Sequence, residues 1–204
     1  MTDGSNFFIV GWEHIVDINA YDHLLFVMTL CAAYRIAQWR QIAIIITAFT
    51  VGHSGTLILS ALDIIPTNPD VVDVLIPFTI MLTAILNVAR TDDDSDGKDT
   101  KVKYAVALGF GLIHGLAFAS NFKVILFEDN IIVPLLLFNL GIEVGQIFIV
   151  ILFMAGLWLH SKVLNGSHGK WNQFVSGAGF GIATILLIEA LKVPEAAPAG
   201  VMPF

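Results

Sequence analysis

The chain has 204 residues and a net charge of −7, with 56% hydrophobic and only 13% charged residues. Soluble domains carry roughly a quarter charged residues, and nucleic-acid-binding proteins present a basic face, so this composition excludes a soluble enzyme and a nucleic-acid partner. The single cysteine, Cys31, excludes an internal disulfide and a cysteine-based metal cluster. We therefore expect an integral protein of the lipid bilayer.

Six apolar stretches predict membrane spans, because a helix needs about 20 residues to cross about 30 Å of hydrocarbon. In chain order they cover about residues 20–34, 41–62, 71–89, 102–120, 131–159 and 172–191. A short interfacial segment, Phe7–Ile18, is expected before the first span, which is short, and the fifth is longer than a bilayer requires. The pattern predicts an all-α membrane protein, a six-helix bundle that forms a single transmembrane domain over residues 1–204.

The loop charges predict the orientation of this bundle. Eight of the ten cations fall on one side of the expected spans: Arg35, Arg40, Arg90, Lys98, Lys101, Lys103, Lys162 and Lys170. The positive-inside rule makes that side cytoplasmic and places both termini outside. Residues 1–4 lack the cations of a secretion signal, so the first span is expected to direct insertion. We expect a multi-pass protein of the bacterial inner (cytoplasmic) membrane.

Three pairs of glycines lie four residues apart inside the expected spans: Gly111 with Gly115, Gly141 with Gly145, and Gly177 with Gly181. Each pair places two small residues on one helix face, where a neighbouring backbone can approach closely. We expect these faces to be helix packing contacts.

Ionisable side chains inside the expected spans indicate a functional site, because each costs about 2.5 kcal/mol or more in hydrocarbon. Helical rise places five of them in the outer half and centre of the bundle: Asp22, His23, His53, His114 and Glu143. Imidazole and carboxylate are ligands for nickel, cobalt or zinc, whereas copper(I) prefers sulfur. The group predicts a metal site, although each histidine alone could equally be a hydrogen-bonding residue between helices.

Four further residues are secondary candidates for the same site. His14 and Asp17 lie three residues apart, just outside the first span. Asn139 and Gln146 lie four and three residues from Glu143, so the three share one helix face.

Several segments of the chain resemble the HupE/UreJ family of bacterial membrane proteins, in its six-span, short-chain branch. They are HIVD at 14–17 with YDHLLF at 21–26, TAFTVGHSGTL at 47–57, FGLIHGLAFA at 110–119 and FNLGIEVGQ at 138–146. The resemblance implies a metal permease, with nickel or cobalt as the substrate class. It also implies that Asp22 and His23 are functional and that His114 and Glu143 handle metal.

The first function that fits these patterns is a permease for a divalent transition metal ion. An outward-facing vestibule formed by His14, Asp17, Asp22 and His23 would capture the ion and pass it to residues deeper in the bundle, namely His53, His114 and Glu143. Several sites of moderate affinity allow release as well as capture. We expect alanine substitution of His23, His114 or Glu143 to abolish metal accumulation.

Two alternatives remain open at this point. An intramembrane zinc-dependent hydrolase would use the same cluster, with Glu143 or Asp22 as general base. The scarcity of polar residues in the inner half, where Thr83 and Asn87 are among the few, favours it. The other alternative is a metal- or haem-carrying accessory subunit packed in a larger membrane complex. The expected partners are the lipid bilayer and a metal ion, and for the assembly a homo-oligomer and a larger membrane complex both stay open.

Overall fold

The structure, a computed structural model, describes residues 5–18, 21–62, 64–65, 68–89, 100–125 and 132–192. Within these ranges the chain is helical and contains no strand, so the expected all-α class is confirmed there. The α-helices are α1 (Ser5–Val16), α2 (Tyr21–Ala32), α3 (Trp39–Ala61), α4 (Pro69–Ala89), α5 (Thr100–Ile125), α6 (Ile132–Lys162) and α7 (His168–Ala190). A 3-10 turn, Ile36–Gln38, leads into α3. The cations Arg90 and Lys98 lie outside the described ranges.

Four of the described helices, α3, α4, α6 and α7, are long and apolar enough to cross a membrane, which confirms a multi-pass protein. They coincide with the second, third, fifth and sixth expected spans. At 31 residues, α6 is about 46 Å long and exceeds a bilayer, as expected. The fourth expected span falls on α5, whose apolar stretch Lys103–Phe118 has fewer than 18 residues. Six spans and outward termini remain predictions.

The region in which an interfacial segment and the first span are expected consists of two helices, α1 and α2, whose axes are bent by 68°. At 12 residues, α2 is about 18 Å long, too short to cross hydrocarbon alone. The segment expected at the interface is instead α1, which packs along α6 with Phe7 and Ile15 buried. Together the two helices are long and apolar enough for a broken span or a re-entrant loop. Hydropathy reports the apolar length but not the bend within it.

Helix packing places α2 at the centre of the bundle. The closest packed pairs among the described helices are α1 with α6, α3 with α5, and α4 with α7. Eight of the twelve residues of α2 are buried, and the fully buried Phe26 contacts the rings of Phe49 and Phe110. By contrast, α7 is peripheral and exposes apolar side chains such as Phe174, which would face lipid.

Glycines set the close approach of α3 and α5. A Cβ atom on Gly111 would collide with the carbonyl oxygen of Phe49, and one on Gly115 would collide with that of His53. The predicted packing role of this glycine pair is therefore confirmed. The contact matters for the site because it fixes His53 on α3 beside the α5 segment that carries His114.

The second glycine pair acts in the same way between α1 and α6. A Cβ atom on Gly141 would collide with the backbone of Phe8, and one on Gly145 would collide with the side chain of Ile15. The third pair, Gly177 and Gly181, faces open space, so its predicted packing role is wrong. These two glycines lie on a face of α7 that no described neighbouring helix covers, whereas Gly179 of the same helix meets Thr29.

A tight turn joins α6 to α7 and fixes where α7 begins. Asn165 adopts a left-handed conformation with φ of 52°, which asparagine tolerates better than most residues. Ser167 caps α7 by accepting a hydrogen bond from the backbone N–H of Lys170 at 3.4 Å. His168 then contacts the carbonyl oxygen of Tyr34 through Nε2 at 3.1 Å. The start of α7 is thereby tied to the end of α2.

Candidate metal centre

Three helices bring three histidines together inside the bundle. His14 lies on α1, His23 on α2 and His53 on α3, and one ligand nitrogen of each lies within 4.8 Å of the others. The ring centroids of His14 and His23 are 4.5 Å apart, and those of His14 and His53 are 5.5 Å apart. We call these three residues the imidazole cluster. Nitrogens that share one tetrahedral ion lie about 3.3 Å apart, so binding an ion requires only a small contraction of the cluster.

Four ring nitrogens of the imidazole cluster are buried but have no hydrogen-bond partner among the described residues. This holds for Nε2 of His14, Nε2 of His23 and both ring nitrogens of His53. His23 and His53 are 4% and 1% exposed. A buried polar atom without a partner costs about 1–3 kcal/mol, so a native protein supplies such atoms with a ligand, an ion or water. The donor set, neutral imidazole from three helices, fits nickel, cobalt or zinc.

Asp22 acts on the cluster through His23. Its Oδ1 lies 3.1 Å from His23 Nδ1 and accepts the backbone N–H of His23 at 2.9 Å. A carboxylate on one ring nitrogen fixes the tautomer and orientation of the imidazole and raises its basicity as a ligand. The other nitrogen, Nε2, is buried without a described partner and is therefore the one left for a ligand. Asp22 therefore lies where it orients a ligand, beside the three converging nitrogens.

His114 lies one step further into the bundle. Its ring centroid is 5.5 Å from that of His23, and it is completely buried against the rings of Phe26 and Phe49. Its Nε2 is 3.3 Å from the hydroxyl of Thr79, while Nδ1 has no hydrogen-bond partner within the described ranges. His114 is adjacent to the imidazole cluster without being one of its three converging members.

The α6 candidates bond to α3 instead of converging on the imidazole cluster. The hydroxyl groups of Thr47, Thr50 and Ser54 donate to Glu143, Gln146 and Asn139 at 2.5, 2.8 and 2.5 Å, respectively. We call these six residues the α3–α6 seam. The three α6 residues do share one face, as their spacing predicts. Glu143 is only half-buried and its donor Thr47 is exposed, which places this carboxylate at the edge of the bundle.

Asp17 is separated from the histidine that lies three residues before it. It follows the end of α1, is exposed, and lines a surface cleft with Trp12, Glu13 and Val16. His14, treated as secondary in the sequence, is by contrast a central member of the imidazole cluster. The end of α1 at Val16 lies between the two residues, so that His14 is held within the helix and Asp17 follows it.

Thr79 is a neighbour of the site that the motifs of the sequence do not indicate. Its hydroxyl on α4 lies 3.3 Å from Nε2 of His114. The available signal is its four-residue spacing from Thr83 and Asn87, which puts three polar side chains on one face of an otherwise apolar helix.

Fold and site together define a multi-pass helical membrane protein with a buried group of convergent imidazoles. A family model described as HupE / UreJ protein matches residues 1–193, and the chain therefore belongs to the HupE/UreJ family. The family is linked to nickel- and cobalt-related membrane proteins, and the imidazole cluster is a possible metal site. Comparison with curated proteins and with solved structures gave no match.

Proposed function

We propose that the protein is a membrane permease for a divalent transition metal ion of the nickel or cobalt class. The observation that carries the proposal is the imidazole cluster, with three rings from three helices whose buried nitrogens have no partner among the described residues. The bent pair of α1 and α2 supports it, because non-continuous helices at membrane depth are typical of sites that admit a substrate. Membership in the HupE/UreJ family agrees with metal as the substrate.

In this proposal the ion exchanges its water shell for imidazole in two stages. The imidazole cluster captures it from the outer side, with Asp22 holding His23 in position. His114, 5.5 Å from His23 between ring centroids, then provides the next ligand toward the interior. Imidazole binds these metals well, so a single site that used all the ligands would hold the ion tightly. Dividing the ligands between neighbouring sites keeps the affinity of each low enough for release.

The test is metal uptake by the purified full chain in proteoliposomes, with Ni²⁺, Co²⁺ and Zn²⁺ offered separately and an internal chelating dye as the readout. We expect uptake of at least one of these ions, and its loss in His23→Ala and in His114→Ala. His160→Ala is the matched control, because this α6 histidine also has a buried nitrogen without a described partner but stacks on Trp171. Uptake no faster than in empty liposomes, or uptake unchanged in both variants, would contradict the proposal.

The hydrolase alternative keeps one supporting observation, the Asp22–His23 pair, which is also common at catalytic zinc sites. It requires a free carboxylate as general base, however, and both candidates are engaged. Asp22 contacts His23, and Glu143 accepts a hydrogen bond from the hydroxyl of Thr47 at the edge of the bundle. Elemental analysis separates the two functions: stoichiometric zinc that survives dialysis against a chelator favours hydrolysis, and readily exchanged nickel or cobalt favours transport.

A further inference from the structure

A line of polar side chains follows one face of α4 through the bundle. Thr79, Thr83 and Asn87 recur every four residues and are 2%, 5% and 5% exposed. Their spacing puts them on one helix face, over a rise of about 12 Å. Apolar residues such as Phe78 and Ile85 occupy the exposed face of the same helix. The polar face of α4 therefore points into the protein and away from lipid.

The outer end of this line touches the candidate metal centre. The hydroxyl of Thr79 lies 3.3 Å from His114 Nε2, and the hydroxyl of Thr83 donates to the carbonyl oxygen of Thr79 at 2.8 Å. His114 is in turn the neighbour of His23. Polar groups thus continue without a break from the imidazole cluster to the middle of α4.

The inner end of the line meets α2 and α7. Asn87 Nδ2 donates to the carbonyl oxygen of Thr29 at 2.7 Å and lies 3.2 Å from the hydroxyl of Ser176. Asn172 donates to the carbonyl oxygen of Asn87 at 2.9 Å, one turn from the start of α7. The fully buried hydroxyl of Thr29 has no hydrogen-bond partner within the described ranges. Lys170 lies in the first turn of α7, on the side expected to be cytoplasmic.

We propose that Thr79, Thr83, Asn87 and Ser176 form the inward leg of the ion route, which carries a divalent metal from His114 toward the cytoplasmic side. This inference rests on the proposed permease function and names the exit that such a permease requires. Hydroxyl and amide oxygens bind nickel and cobalt less strongly than imidazole does, so affinity falls along the route and favours release. The contact of Asn87 with Ser176 would have to open for an ion to pass.

The same residues could serve only to hold α2, α4 and α7 together, and the experiment separates the two roles. Thr83→Val keeps the shape of the side chain and removes its oxygen. In proteoliposomes we expect uptake of Ni²⁺, Co²⁺ or Zn²⁺, whichever the wild type carries, to fall by about tenfold, the effect of losing one polar contact inside a membrane. Equilibrium binding of that ion to the purified protein should stay unchanged, and Thr83→Ser should restore uptake.

Thr184→Val is the matched control, because Thr184 also donates to its own helix, to the carbonyl oxygen of Phe180, but lies outside the line. Ser176→Ala is a second variant, with a small change in volume, for the case that Thr83→Val does not fold. Wild-type uptake in folded Thr83→Val or Ser176→Ala would overturn the exit route and leave the permease function intact. A wild-type chain that binds the ions but carries none of them would overturn the permease function, and the exit route with it.

Discussion

The imidazole cluster and the α3–α6 seam are both polar groups inside an apolar bundle, yet they are built in opposite ways. In the seam, each α6 side chain accepts a hydrogen bond from a hydroxyl group of α3, so its oxygen has a partner. In the cluster, one ring nitrogen from each of three helices converges with the others, and four buried ring nitrogens have no partner among the described residues. A satisfied polar pair inside a membrane stabilises helix contacts, whereas convergent unpaired nitrogens suit a ligand. Convergence, more than polarity or the lack of a partner, distinguishes the candidate site, because Nε2 of Gln146 in the seam is also buried without a described partner.

The largest effect expected from this comparison is the loss of one cluster ligand. His53→Ala should weaken metal binding by more than about 100-fold, because even residues that only orient a ligand account for 10–100-fold. Isothermal titration of the purified protein with Co²⁺ measures the change, and His160→Ala is again the control. Binding within a fewfold of wild type in His53→Ala would show that the converging nitrogens do not hold the ion.

Asp22→Asn should have an intermediate effect. The amide oxygen still accepts the backbone N–H of His23, but the negative charge that raises the basicity of the imidazole is lost, which should weaken Co²⁺ binding by about 10-fold or more. The same titration measures it, together with the absorption spectrum of bound Co²⁺, which should keep its ligand-field bands. A loss as large as that of His53→Ala would instead indicate that Asp22 itself binds the ion.

The smallest effect is expected in the seam. Glu143→Gln retains an oxygen that accepts the hydroxyl of Thr47, so Co²⁺ binding should change by less than about threefold, in keeping with the small weight of single interhelical hydrogen bonds. Titration measures binding, and thermal unfolding in detergent measures stability. If this substitution abolished binding as completely as His53→Ala, the division between cluster and seam would be wrong, and Glu143 would belong to the site.

Much of the fold could be predicted from the sequence, because hydropathy directly reports the length of each apolar stretch. The helices α3, α4, α6 and α7 follow the apolar stretches closely. The division between α1 and α2 matches the expected boundary between the segment 7–18 and the first span, but the packing of α1 along α6 could not be predicted, since hydropathy does not report which helices meet. Glycine spacing was informative only where a partner helix approached: Gly111 meets Phe49, whereas Gly177 meets open space.

The residue types of the candidate site could be predicted better than which of these residues lie together in the structure. The cost of ionisable groups in hydrocarbon pointed directly to His23, His53 and His114. It gave less weight to His14, which lies outside the expected first span. The spacing of Asn139, Glu143 and Gln146 predicts that they share a helix face, but it does not reveal that this face turns toward α3.

The break before α2 also has an electrostatic consequence. A helix N-terminus carries about half a positive elementary charge, and α2 begins at Tyr21, two residues before His23 and beside the imidazole cluster. A metal cation bound there is repelled by the helix dipole, and the carboxylate of Asp22, in the first turn, offsets that repulsion. The opposing charges would keep the affinity moderate, so that the cation neither avoids the cluster nor remains trapped in it.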